Sequence, residues 1–138
     1  MATPRISLLR LTRHAGTTAT TPAPALSWTV DGADEGWAQA WAEVEAGGDA
    51  VRLEGGASHA VDWPFPPLAP REARKLRVRC GGSDGSTTGW SDEIAVCAGF
   101  LADGEWVAKF IALAEPARVS QPVWLRHEFM LAEAPVAA

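Results

Sequence analysis

The strongest pattern in the chain is a strict alternation over residues 75–80. Leu76, Val78 and Cys80 fall on one side, and Lys75, Arg77 and Arg79 on the other. A repeat of two is the signature of a strand with one buried face. Residues 26–30 (Leu-Ser-Trp-Thr-Val) alternate in the same way and place Trp28 in the core. Residues 6–11 alternate weakly and read as an edge strand. Residues 36–46 carry two signals. Their Ala and Glu content favours helix. Their alternation puts Trp37, Gln39, Trp41, Glu43 and Glu45 on one side, and Ala38, Ala40, Ala42, Val44 and Ala46 on the other. The alternation predicts a strand. Shorter strands are expected at 50–53, 58–63 and 94–98, the last with Ile94, Val96 and Ala98 facing the core.

Turn residues punctuate these runs. Asp31-Gly32 with Asp34, Gly47-Gly48-Asp49, Gly55-Gly56 and the polar stretch 81–89 each reverse the chain. Residues 15–24 are rich in Thr, Ala and Pro, and Pro22 and Pro24 exclude a helix there. Pro64, Pro66, Pro67 and Pro70 forbid regular pairing and predict a stiff crossover, with Trp63 and Phe65 as a lid on the core. Seven short strands within roughly 95 residues predict an all-β sandwich of the immunoglobulin or fibronectin type III kind.

Beyond residue 100 the pattern changes. Asp103-Gly104 turns, residues 106–111 extend, and Pro116 and Pro122 bracket a linker. Residues 123–131 (Val-Trp-Leu-Arg-His-Glu-Phe-Met-Leu) read as a strand with no sheet of its own. The expected organisation is a disordered start at 1–5, a sandwich at 6–100, a linker at 101–121 and an extension at 122–138. The extension is read as the first strand of a following β-sandwich.

Composition narrows the function. The chain has 138 residues, 47% hydrophobic and 21% charged, which is globular. A net charge of -5 argues against a nucleic-acid partner. No apolar run approaches the ~18 residues of a membrane span. No signal-peptide core is visible, so a cytoplasmic setting is expected.

No catalytic constellation stands out. Glu43 and Glu45 lie ~6.5 Å apart on one strand face. Such i, i+2 carboxylates point out of a sheet in parallel and do not flank a substrate, so a solvated face is expected. His14, His59 and His127 lack metal-ligand spacing. Ser58-His59 with Asp62 is no triad, because neighbours on a strand cannot meet in that geometry. Asp84-Gly85 lacks the later glutamate of a calcium loop, and Gly81-Gly82 lacks the helix of a phosphate cradle. Cys80 shares the inward parity of Leu76 and Val78, while Cys97 has the parity opposite to Val96. Both thiols are therefore expected free. No metal or cofactor is expected.

The chain loosely resembles fibronectin type III domains through Leu26-Ser27-Trp28-Thr29 and through Leu68-x-Pro70-x-x-x-Arg74-x-Leu76-x-Val78. It departs at the corner position, where those domains use Tyr and this chain has Arg74, so the corner is either rebuilt around a guanidinium or lost. A tighter resemblance is to the N-terminal module of bacterial α-L-rhamnosidases of glycoside hydrolase family 78, in their actinobacterial form. The stretches that carry it run in order. They are Pro24-Ala25-Leu26-Ser27-Trp28, Val61-Asp62-Trp63-Pro64-Phe65-Pro66-Pro67-Leu68, Arg71-Glu72-Ala73-Arg74 and Val78-Arg79. Then come Gly82-Ser83-Asp84-Gly85, Trp90-Ser91-Asp92-Glu93, Ala98-Gly99-Phe100-Leu101 and Trp106-Val107-Ala108-Lys109-Phe110-Ile111.

What the resemblance implies is an accessory module, with the family's catalytic carboxylates far downstream and no catalytic position here. The partners it implies are other domains of a parent polypeptide. Trp37, Trp41, Trp106, Phe110 and Trp124 are the candidate interdomain contacts, and self-association through the 123–131 strand is expected of the isolated chain. The alternative is a weak carbohydrate-binding module in which Trp37 and Trp41 form a sugar platform. Trp90 is expected against Arg77 and Arg79 through cation–π contacts, or else in plain edge packing.

Overall fold

The computed structural model describes residues 3–12, 17–111 and 124–133. Seven strands are found among them: β1 (Arg5–Leu11), β2 (Thr18–Ala19), β3 (Leu26–Asp31), β4 (Gln39–Ala46), β5 (Asp49–Glu54), β6 (Ala73–Gly82) and β7 (Ile94–Ala98). They form a two-stranded sheet, β1-β3, and a five-stranded sheet in the order β2-β7-β6-β4-β5. All pairings are antiparallel except β2 with β7. This is the expected all-β immunoglobulin-like sandwich.

The period-two reading holds in β6 and β7 and in β4 from Trp41 onward, after a bulge that shifts the register between Gln39 and Trp41. Ala42, Val44 and Ala46 of β4 face inward, as do Leu76, Val78 and Cys80 of β6 and Val96 and Ala98 of β7. Leu9 and Leu11 of β1 and Leu26 and Trp28 of β3 cover them from the small sheet. Trp63, Phe65 and Leu68 complete the core from the proline crossover. The Trp63 and Phe65 rings meet edge to face at 5.4 Å, and the Trp63 indole N–H donates to the Pro66 carbonyl. Cys80 is buried and Cys97 exposed, both free, as their opposite parities require.

Several expectations fail. Residues 58–63 do not form a strand. Val61 makes a single bridge to Leu26, exchanging both backbone bonds at 2.8 and 2.9 Å. Ala60 just before it has φ +50°, a left-handed conformation that ends an extended run. The seventh strand is instead β2, inside the Thr/Pro segment expected to be a mere connection. The stretch 81–89 is also not all loop, because β6 runs through Gly81 and Gly82. The turn is confined to Ser83–Ser86, and the returning segment completes the free edge of β6. Thr88 N–H donates to the Cys80 carbonyl, Ser91 N–H to Val78, and the Thr88 and Ser91 hydroxyls accept from Cys80 N–H and Val78 N–H.

At the start, β1 begins at Arg5, and Pro4 ahead of it is buried. The corner position is rebuilt. The Glu72 carboxylate accepts from Ala69 N–H at 2.7 Å and from Arg74 Nε. These two bonds hold the Glu72 carboxyl below its ordinary range, the backbone bond most strongly. A charge pair thus does the bridging that a tyrosine hydroxyl does elsewhere.

The chain divides into two compact units, 1–106 and 107–138. The described residues 124–133 contain no strand paired within the chain. Their contacts are nonetheless those of an extended segment. Arg126 pairs with Glu128, and the His127 and Phe129 rings stack at 6.0 Å. Contacts at i, i+2 on both faces fit an extended backbone.

Candidate functional site

The outward face of β4 and β6 carries Trp41, Glu43 and Glu45 of the residues that the alternation singled out. Glu43 faces Arg79 across the ladder, and Glu45 faces Arg77. Both pairs are closed at 2.7 Å. The expected solvated face is therefore a partly buried ladder of two ion pairs, with each carboxylate engaged by a guanidinium. Trp90 lies beneath both guanidinium groups at 4.7 Å from each, the cation–π arrangement rather than plain edge packing. Lys75 pairs with Glu93 at the end of the row, and that bond raises its pKa. Hydrogen bonding to Glu45 likewise raises that of Arg77.

Trp37 and Trp41 do not share a face as the alternation predicts: a bulge between Gln39 and Trp41 shifts the register, so Trp41 lies over Gly81 on the outward face and Trp37, just ahead of β4, over Gly82 on the core side. A Cβ at Gly81 would stand 2.1 Å from Trp41 ring atoms, and one at Gly82 would stand 2.2 Å from the Trp37 indole nitrogen. The two glycines are pads for indoles, which no turn signal revealed. Trp37 donates its indole N–H to Ser86 Oγ at 2.8 Å. Asp84 holds Ser86 in turn, accepting from both its N–H and its hydroxyl, which lowers the Asp84 pKa. Trp41 carries the Arg52 guanidinium over its ring at 4.2 Å, and Arg52 also pairs with Glu54. Both indoles are half-buried and fixed on all these sides.

A second cluster was invisible in the sequence. The buried Ser27 hydroxyl meets Thr12 Oγ1 at 2.6 Å and His59 Nδ1 at 3.2 Å, and it accepts from Ala60 N–H. Next to it, Trp28 donates to the Gln39 side-chain carbonyl, whose amide donates to the Gly55 and Ala57 carbonyls. These networks tie the 55–60 loop to β3 and β4. Ser27 and His59 touch, but the hydroxyl already accepts a backbone N–H deep in the fold, which makes it a tie and not a nucleophile.

The remaining candidates lie toward the C-terminus. Trp106 ends the first unit and meets Phe100 edge to face at 5.4 Å, with both rings at least half exposed. The 101–106 turn is held by the Glu105 carboxylate, which accepts from Leu101 N–H. In the second unit Phe110, Ile111, Trp124, Leu125, Phe129, Met130 and Leu131 are all exposed. Val123 and His14 lie outside the described residues. Among the described residues, no three His, Cys, Asp or Glu side chains gather as a metal site, and no helix is long and apolar enough to cross a membrane.

Residues 8–102 match the family described as the Rha78A-like, N-terminal immunoglobulin domain. The chain belongs to that family. Solved structures agree. The chain is 35% identical to the α-L-rhamnosidase of Aspergillus terreus over 75% of its own length, with a TM-score of 0.69. It shares the fold of a Streptomyces avermitilis α-L-rhamnosidase solved with L-rhamnose (22% identity, 77% of this chain, TM-score 0.70). It also shares that of the enzyme from Dictyoglumus thermophilum (15% identity, 76% of this chain, TM-score 0.68). The matched region is 13%, 12% and 13% of those three chains, so this immunoglobulin domain corresponds to a small part of each enzyme. A comparison with curated proteins gives no match.

Proposed function

We propose that this chain is a non-catalytic module of an α-L-rhamnosidase and that its work is packing between domains of the parent polypeptide. The observation that carries the reading is a contrast between its two parts. On the immunoglobulin domain the charge pairs of β4 and β6 and the Trp37, Trp41 and Trp90 rings are engaged within the domain. The described residues 107–111 and 124–131 instead expose large apolar side chains and pair with no sheet among the described residues. Soluble chains seldom leave such a surface uncovered. A strand with two prepared faces and free N–H and C=O groups is what a neighbouring sheet takes up by strand addition.

On this reading residues 122–138 supply the first strand of the next sandwich. The isolated 138-residue chain then self-associates, because its apolar strand finds another copy. The hydrolysis of terminal α-L-rhamnosides by inversion resides downstream. The test is made in the longest natural polypeptide that contains this sequence. Phe110→Asp with Phe129→Asp should lower its thermal midpoint while leaving kcat/KM on an aryl α-L-rhamnoside unchanged in the folded fraction. Unchanged stability, or a collapse of kcat/KM in Glu43→Gln, would contradict the proposal.

A further inference from the structure

A recess of about 430 Å³ opens on the small sheet, within the roughly 300–1,000 Å³ of small-molecule sites. Arg10, Thr29, Ser58 and His59 line it together with Trp37. Arg10 and Ser27 are cross-strand partners, and so are Leu8 and Thr29, so β1 and β3 set these groups side by side. The walls are held from behind. Trp37 is tied to Ser86, and His59 Nδ1 to Ser27. The inner groups are thus fixed before any ligand arrives, the condition for affinity at low ordering cost.

The charge of the recess is the unusual feature. The chain carries 17 acidic residues against 12 Lys and Arg, yet no Asp or Glu lines this recess. Arg10 makes no ion pair among the described residues, in contrast to Arg52, Arg74, Arg77 and Arg79. A planar guanidinium without a carboxylate, beside an imidazole, two hydroxyls and an indole, is a receptor for a carboxylated ring. Guanidinium grips a carboxylate bidentately, and an indole offers an apolar surface to the ring. We propose that this recess binds a sugar acid, with the carboxylate on Arg10 and the ring beside Trp37 and His59. The site is independent of the interdomain role, and neither inference stands or falls with the other.

The test titrates the ¹⁵N-labelled chain with sodium D-glucuronate, using D-glucose and sodium acetate as matched controls. Glucuronate should give saturable shifts at the Trp37 indole N–H and at the Thr29 and His59 amides, and the controls should not. Arg10→Ala should weaken binding by about tenfold or more, and Arg10→Lys by less, because a lysine keeps the charge but loses the fork. Arg10 is exposed, so both variants should keep the native circular dichroism spectrum. The proposal is overturned if glucose shifts the same signals as strongly, if acetate saturates them as readily, if Arg10→Ala binds as before, or if glucuronate moves nothing at the recess.

Discussion

The Trp41 indole occupies the space where residue 81 would carry a side chain. Its Cε2 and Nε1 atoms stand 2.1 Å from an ideal Cβ on Gly81. β4 and β6 are therefore locked at this point by a ring on bare backbone, and the fit has no slack. Gly81→Ala should destabilise the domain by about 1–3 kcal/mol, the usual cost of overpacking. In a Trp41→Ala background the same change should be nearly free. Urea unfolding of the four-member cycle reads the coupling, and strict additivity would show that the two residues do not compete for the space.

Ser27 should be the costliest small polar residue to remove. Ser27→Ala strips a partner from Thr12, His59 and Ala60 N–H together. Leaving buried groups unsatisfied costs about 1–3 kcal/mol. Chemical denaturation should show that loss, and amide exchange should rise selectively at Ala60 and Val61. Exchange unchanged in the 58–61 loop would mean that the hydroxyl does not pin it.

The buried Cys80 thiol gives the domain an alkaline limit. Burial pushes its pKa up to about 11 from an ordinary 9.0. Between those values the unfolded chain has lost a proton that the folded one keeps. Stability is therefore fully present below pH 9 and falls as pH rises from about 9 to about 11. Unfolding midpoints at intervals across that range should decline, and Cys80→Ala should flatten this part of the profile. Under native conditions an alkylating reagent should label the exposed Cys97 and spare Cys80. Equal labelling of both thiols would contradict the burial.

At acid pH the rebuilt corner should give way as Glu72 protonates. Glu72 has its pKa lowered by Ala69 N–H and Arg74, so its contribution is present above the ordinary carboxylate pKa of 4.5 and is lost as pH falls through the depressed value. Glu72→Gln should raise the residual stability at low pH relative to its own neutral-pH value. The same acid dependence in wild type and Glu72→Gln would remove Glu72 from the account.

The faces of β6, of β7 and of β4 from Trp41 onward were legible in the sequence because a repeat of two writes burial directly into residue order. The cation–π seat of Trp90 followed from the same parity, since Arg77 and Arg79 had to share a face. What escaped was whatever order does not encode. The left-handed Ala60, which denies residues 58–63 a strand, leaves no hydropathy signal. Gly81-Gly82 read as a turn because glycine usually marks one, and the bulge that sends Trp37 and Trp41 to opposite faces of these glycines leaves no trace in the hydropathy pattern. The Ser27–His59 contact joins positions 32 apart, and no local pattern reports it. Pro22 and Pro24 masked the two-residue β2 just ahead of them.

The most direct test of the central claim is the intact mass of the natural gene product that contains this sequence, taken from source cells. The account predicts a polypeptide several times longer than 138 residues, with aryl α-L-rhamnoside hydrolysis in the same purified band. A natural product ending near Ala138 would contradict it, because the exposed apolar residues of 107–111 and 124–131 would then have no parent domain to cover them.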